Sequence, residues 1–378
     1  MKQQEINITL VIMDLGVGGA ERVLVNLANH WATQPDFKVH LIALGNTPPF
    51  YELNEQVHLI QLGLIYETSS LFEAFKANYH RLKILRQTLK KVGPTVIISF
   101  MTVINILSIL ASYFLKAKLI IADRANPALN ESKTWQVITK LFYRFADVLV
   151  VQTKGVCSYY KNHSVPLEVI PNPLLLNNPE EQLFPVREKL IVMVGRLHQQ
   201  KRMDLGIEAY ATLKQTANEW KLLILGEGEE RDKLEQLIKN RKLEEQVFLK
   251  GKVTNVFPYL RNAAIFLMTS EAEGYPNVLI EAMGMGLACV TTDCDYGPAE
   301  IIKPNFNGSL VPSGDVTAIA TALKQYMIHE DLRIAHGQEA RKIKDELRLP
   351  NIARQWESLF PLPISSPRRV ILKSSTTN

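Results

Sequence analysis

Short aliphatic and β-branched runs alternate along this chain with longer stretches whose apolar residues recur at helical spacing. The runs predict strands at 6–13, 38–44, 96–100, 118–122 and 147–151, and again at 190–194, 221–225, 246–250, 264–268 and 288–292. Each run is almost wholly apolar, as in a parallel sheet covered by helices on both faces. Two groups of five imply two doubly wound α/β domains. The expected limits are residues 1–170 and 171–350, with 351–378 forming a last helix that packs back across the junction and then a loose tail. The break falls near 166–189, where PLEVIPNPLLLNNPEEQLFP concentrates prolines and asparagines.

One segment tests that pattern. TVIISFMTVINILSILASYFL, residues 95–115, carries no charge and is long enough to cross a bilayer. Ser99, Thr102, Asn105, Ser108 and Ser112 interrupt it, so it reads better as a strand followed by a covering helix. The opening MKQQEINITLVIMD is too short for a signal peptide and is closed by Asp14. At 378 residues, 47% hydrophobic and 21% charged, the chain has material for two cores. Cys157, Cys289 and Cys294 are odd in number and lack metal spacing, which suits a reduced cytoplasmic protein without a metal.

The net charge of +5 is unevenly spread. KANYHRLKILRQTLKK, residues 76–91, has six Lys and Arg residues, no acid, and an apolar side at Leu82, Ile84, Leu85 and Leu89. Such a basic amphipathic helix suits an anionic membrane surface, implying peripheral attachment to the inner face of the plasma membrane. No aromatic residues interleave with cations in a nucleic-acid module, so no nucleic-acid partner is expected.

Chemistry concentrates in three places. In EAEGYPNVLIEAMG, residues 271–284, Glu273 and Glu281 are separated by a glycine turn and little more than two helical turns, so they can grip a polyhydroxylated ligand at two points. In IVMVGRLHQQKR, residues 191–202, a strand ends at Gly195, with Arg196 next and Lys201 at the expected start of a helix; cations and free N–H groups there suit a pyrophosphate. Near the start, Gly18 and Gly19 open a helix. A dinucleotide fingerprint counted from Gly16 and Gly18 fails, because its third glycine position holds Glu21.

In their joint order these motifs resemble the retaining family 4 glycosyltransferases of GT-B fold. VIPNPL at 169–174, LILGEGEERDKLE at 223–235, VFLKGKV at 247–253, DCDYGPAEII at 293–302 and NGSLVP at 307–312 extend the likeness over most of the chain. The resemblance implies two Rossmann-like domains facing a central cleft. It further implies that Arg196 and Lys201 bind the donor diphosphate, Glu273 the transferred sugar and Glu281 the ribose, with Asn277 and Val278 assisting at the phosphates and Gly18 and Gly19 near the donor. Many relatives have a histidine in the loop that reads LIIADRANPA here, residues 119–128. This chain has Asp123 and Arg124, and Arg124 is expected to make a second phosphate or sugar contact, or else an ion pair with a neighbouring carboxylate. The triplet Asp293, Cys294, Asp295 has the form of a metal-binding D-x-D but reads as loop chemistry.

The implied activity moves a hexose or N-acetylhexosamine from a nucleotide sugar, UDP-linked, to a lipid-linked or lipopolysaccharide saccharide in bacterial cell-surface glycan assembly. It would use no cofactor, no metal and a front-face route. A sugar-nucleotide epimerase of the same fold and a catalytically silent nucleotide-sugar-binding subunit are the alternatives.

Overall fold

The computed structural model describes residues 5–66, 70–124, 127, 132–176, 187–214 and 218–361. A first sheet contains β1 (Ile6–Ile12), β2 (Phe37–Ala43), β3 (His58–Gln61), β4 (Val96–Phe100), β5 (Lys118–Ala122), β6 (Val148–Val151) and β7 (Leu167–Val169), in the order β3-β2-β1-β4-β5-β6-β7. A second contains β8 (Glu188–Val194), β9 (Lys221–Leu225), β10 (Val247–Gly251), β11 (Ala263–Met268), β12 (Ala288–Asp293) and β13 (Ser309–Pro312), in the order β10-β9-β8-β11-β12-β13. Pairs such as β1 with β2 and β4, and β8 with β9 and β11, are parallel. Each sheet begins at its middle, winds to one edge, and crosses back to wind to the other. The reversals fall between β1 and β4 and between β8 and β11, where open α/β sheets bind ligands.

The ten expected strands are present, and three more appear. β3, β7 and β13 are edge strands of three or four residues with half-exposed faces, so they lack the continuous apolar run that marks a central strand. The uncharged stretch 95–115 is the buried strand β4 followed by helix Thr102–Ser112, with Met101 at φ 79° between them. No helix among the described residues is long and apolar enough to cross a membrane.

By compactness the described residues form two units. One lies within 1–121, 145–147 and 355–378, the other within 122–144 and 148–354. The sheets divide between Val169 and Glu188, whereas the units divide after Ile121. The linker residues 177–186 and the tail from 362 lie outside the described residues.

In the first unit Ile8, Leu10, Leu41, Ile97 and Ile98 are fully buried. The last helix, Leu349–Glu357, starts two residues before the expected 351. Its Trp356 stacks on Phe100 with ring centroids 5.9 Å apart, and Glu357 accepts a hydrogen bond from the Trp31 indole at 2.9 Å. Trp31 and Trp356 are both fully buried, and truncating either to alanine would cost about 3–5 kcal/mol. The second unit has its own core, built on Ile191, Leu222, Ile224, Ile265 and Val290 beneath Ile207, Tyr210, Ile319 and Leu323.

Candidate active site

The second sheet places its chemistry at the reversal between β8 and β11. After β8 the chain turns at Gly195 and makes a single 3₁₀ turn over Gln199–Lys201, and Arg202 follows at φ 45° before helix Met203–Thr212 begins. Lys201 therefore ends a turn instead of starting a helix. The backbone N–H groups of Gly195, Leu197, His198, Lys201 and Arg202 are all taken by carbonyl oxygens, and that of Gln200 by His198 Nδ1. Those of Arg196 and Gln199 have no acceptor among the described residues, so the turn offers an anion these two donors as well as its side chains.

Thr269, directly after β11, holds the turn in place by donating from Oγ1 to the carbonyl of Arg202 at 2.6 Å, with that of Lys201 at 3.1 Å. Gln200 Nε2 donates to the Ala272 carbonyl at 2.6 Å. These bonds bring Lys201 Nζ to 2.6 Å from Glu273 Oε1, which also accepts from Ser270 Oγ at 2.6 Å. Glu273 is 8% exposed, so its charge is largely removed from water and depends on these partners. Arg196 is exposed, and its guanidinium has no ion-pair or hydrogen-bond partner among the described residues. Arg202, which the sequence reading passed over, pairs with Asp204 at 3.0 Å and with Glu271, so its charge is already matched.

Helix Asn277–Gly284 starts after Pro276 with no side-chain cap. The N–H groups of Leu279 and Ile280 reach back to the Pro276 carbonyl, whereas those of Asn277 and Val278 have no acceptor among the described residues. Two open donors thus lie two residues from Tyr275 and four from Glu273, at the positive end of a helix. Glu281 lies within this helix and is 1% exposed. The two carboxylates thus differ: Glu273 lies in the turn, and Glu281 is deeper in the fold.

The loop after β5 brings further groups to this helix. Asp123 is buried and its Oδ2 accepts from the hydroxyls of Tyr143 at 2.9 Å and Tyr160 at 2.6 Å. Arg124 Nη1 donates to Asn172 Oδ1 at 3.0 Å and lies 3.4 Å from the Ile170 carbonyl, and Asn172 Nδ2 donates to Asn277 Oδ1 at 2.7 Å. Burial lowers the Arg124 guanidinium to about 9, against the pull of Asp123, and it remains a cation at neutral pH. Ala125, Asn126 and Ala128 of this loop lie outside the described residues.

Asp293 and Asp295 are exposed around the buried Cys294, at the end of β12 and just beyond it. The Cys294 thiol is pushed up to about 12 by burial and then by Glu273, so at neutral pH it is not a thiolate.

The sequence reading missed Asn172, Ser270 and Thr269. The last two are the polar pair that ends an apolar strand immediately before EAEG, and Asn172 is framed by Pro171 and Pro173.

In the first unit, helix Gly19–Ala32 begins after Gly18, and a Cβ built on Gly18 would lie 1.9 Å from Glu21 Oε2. The carboxylate therefore folds back over the entry to the helix. The basic segment belongs to a longer helix, Leu71–Val92, capped by Ser70, which accepts from Glu73 N–H, and by Gly93 at φ 63°. Leu85 and Leu89 are buried, and Lys76, Lys83, Lys90 and Lys91 are exposed. The same helix exposes Phe72, Phe75 and Tyr79 at 77%, 74% and 63%, and Arg86 lies over the ring of Phe114, itself 76% exposed.

Comparison with known proteins gives the family. Residues 17–176 match Glycosyltransferase Family 4, and residues 176–343 match Glycosyl transferases group 1. An N-acetylgalactosamine-N,N'-diacetylbacillosaminyl-diphospho-undecaprenol 4-alpha-N-acetylgalactosaminyltransferase of Campylobacter jejuni is 30% identical over 365 residues, 92% of this chain and 98% of that protein. A second transferase of that organism, named for alpha-1,4-N-acetyl-D-galactosaminyl transfer to a diNAcBac-PP-undecaprenol-linked saccharide, is 29% identical over 359 residues, 94% of this chain and 98% of its own length. Among solved structures, HepE of Anabaena in complex with UDP and glucose has a TM-score of 0.74 at 16% identity, covering 94% of this chain and 99% of that one. The chain belongs to the family 4 glycosyltransferases and has their GT-B fold.

Proposed function

We propose that this chain transfers a hexose or N-acetylhexosamine from a UDP-sugar to a lipid-linked saccharide, with retention of anomeric configuration and without a metal ion or cofactor. The observation that carries this reading is the arrangement at the β8/β11 reversal: the exposed Arg196, the Lys201–Glu273 pair, and the N–H groups of Asn277 and Val278, open among the described residues. Two cations and a helix amino end suit a diphosphate. A carboxylate 2.6 Å from one of those cations suits the hydroxyls of the sugar attached to it.

In the reaction the bond from the sugar C1 to the phosphate oxygen breaks, and a bond from C1 to the acceptor oxygen forms on the same face. The acceptor proton passes to the leaving phosphate oxygen. Arg196 and Lys201 stabilise the negative charge that builds on UDP. Glu281, inside the helix, hydrogen-bonds the ribose. Glu273 orients the sugar as a hydrogen-bonding group, so Glu273→Gln slows turnover without the complete loss expected for a covalent nucleophile.

The Campylobacter relatives are named for undecaprenol-linked acceptors, which supports a lipid-linked saccharide and a role in bacterial cell-surface glycan assembly. Helix Leu71–Val92 would then rest on the anionic inner leaflet of the plasma membrane. Its lysines face the lipid charge, and Phe72, Phe75 and Tyr79 enter the headgroup layer. Flotation with vesicles containing anionic lipid should retain the protein, and Phe72→Ala with Phe75→Ala should release it.

The deciding experiment is UDP release from a panel of UDP-sugars, with and without a membrane lipid extract, in EDTA. Release that needs the extract and survives EDTA is expected. Interconversion of sugars without UDP release would replace this reading with an epimerase, and UDP-sugar binding with neither reaction across acceptor extracts would replace it with a silent binding subunit.

A further inference from the structure

The two residues after β5 are held by different partners. Asp123 points into the fold, where its Oδ2 is held by the hydroxyls of Tyr143 and Tyr160. A buried carboxylate satisfied in this way is an anchor for the loop. Arg124 meets the Ile170–Asn172 segment.

Asn172 is 3% exposed and uses both ends of its amide. Its oxygen accepts from Arg124 Nη1 at 3.0 Å, and its nitrogen donates to Asn277 Oδ1 at 2.7 Å. A primary amide accepts from a guanidinium at one end and donates to a second carbonyl oxygen at the other. Pro171 and Pro173 restrict the backbone on either side, which limits the directions in which the amide can point. Asn277 is the first residue of the helix with open N–H groups at its amino end.

We propose that Asn172 is a positioning residue: through one buried amide it fixes the Arg124 charge relative to the amino end of helix Asn277–Gly284, so that guanidinium and helix address the same phosphate. The proposal rests on the transferase reading above. Without the amide the guanidinium keeps its charge but loses its direction, and small misplacements of a catalytic charge are costly.

The test is a double-mutant cycle on the full chain, reading UDP release for turnover, calorimetry for the UDP Kd, and thermal melting for folding. Asn172→Ala should reduce kcat about tenfold and leave the UDP Kd within about twofold, a split expected of positioning. Arg124→Ala should reduce kcat further, and adding Asn172→Ala to it should change nothing beyond about twofold. Asn172→Asp should recover most of the loss, because its carboxylate still accepts from Arg124 and the Asn277 amide can turn its NH₂ towards it. If Asn172→Ala melts too low to assay, the same cycle runs with Asn172→Ser.

Multiplying losses in the double variant, or an Asn172→Asp no better than Asn172→Ala, with wild-type turnover intact, would sink the positioning role alone. A wild-type chain that binds UDP yet releases none from any donor with the lipid extract would sink the transferase reading, and this proposal with it.

Discussion

The turns that follow β1 and β8 occupy the same topological place, since each leaves the first strand of a sheet beside its reversal. Their contents are opposite. After β1 come Asp14, an open Gly16 where an added Cβ would meet no atom within 4 Å, an exposed Val17, and Glu21 folded over Gly18. After β8 come Arg196, Lys201 and Arg202, on a backbone pressed against the next turn: a Cβ on Gly226 would lie 1.8 Å from the Gly195 carbonyl oxygen, and one on Gly228 2.2 Å from that of Leu197. Winding order locates a ligand site, while side chains and packing set its charge and stiffness. The β8 turn is rigid and cationic, suited to a diphosphate. The β1 turn is less closely packed at Gly16 and carries Asp14 and Glu21.

The largest expected effects follow from the charge. Lys201→Ala removes a cation and leaves Glu273, 8% exposed, without its 2.6 Å ion partner, so turnover should fall by about 10²–10³-fold and stability should fall too. Arg196→Ala removes an exposed cation whose side chain has no partner among the described residues. It should cost about 10²-fold in UDP release with stability unchanged within about 0.5 kcal/mol. If both variants lose only stability, the cations are structural and the contrast between the turns loses its functional meaning.

Packing gives the next effect. Gly226 has φ +147°, and its added Cβ would strike backbone, which cannot rotate away. Gly226→Ala should therefore cost about 3 kcal/mol or more in a chemical denaturation of the second unit. Gly18→Ala looks just as crowded at 1.9 Å, but the obstacle is the far end of the Glu21 side chain, and φ of −171° is open to any residue. It should cost less than about 0.5 kcal/mol, because Glu21 can swing aside. Equal losses in the two variants would show that the first turn is as stiff as the second.

How far the sequence reveals all this depends on where each signal resides. Central strands are legible because burial on both faces demands apolar runs such as LVI in β1 and IVMV in β8, whereas the edges β3, β7 and β13 carry no such demand. Lys201 and Glu273 are legible as types at a spacing, but their pairing is set by Thr269 and Gln200, which bond across between the two turns, and by Ser270, which holds Glu273 within its own turn. Arg124 reads equally well as a ligand contact or as half of an ion pair. Its hydrogen bonds include those to Asn172 and to the Ile170 carbonyl, partners 48 and 46 positions away that local pattern cannot supply. Exposed aromatics on helix Leu71–Val92 are visible as letters, yet their side of the helix is fixed only by what Leu85 and Leu89 pack against.

The smallest effect separates the sheets themselves. β2 carries His40, whose Nδ1 lies 2.8 Å from Asn7 Oδ1 and whose ring stacks on His58 at 5.0 Å. Its counterpart β9, KLLIL, has no histidine. Asn7 donates its amide nitrogen to the carbonyl of Val92 at 2.8 Å, so its oxygen is the end that faces the ring, and neutral His40 donates to it. Burial, then the charges of His58 and Lys38, lowers His40 to about 4. A folded-state value below the unfolded 6.5 means that the unfolded chain takes up the proton first as pH falls. This contribution to stability is whole above pH 6.5 and is lost as pH falls towards about 4. Denaturation of the first unit, followed at pH 7 and pH 5, should show the drop, and His40→Gln should flatten it at a modest cost at pH 7. A His40→Gln chain that loses as much stability on acidification as the wild type would place the acid sensitivity elsewhere, and the two sheets would then differ only in their turns.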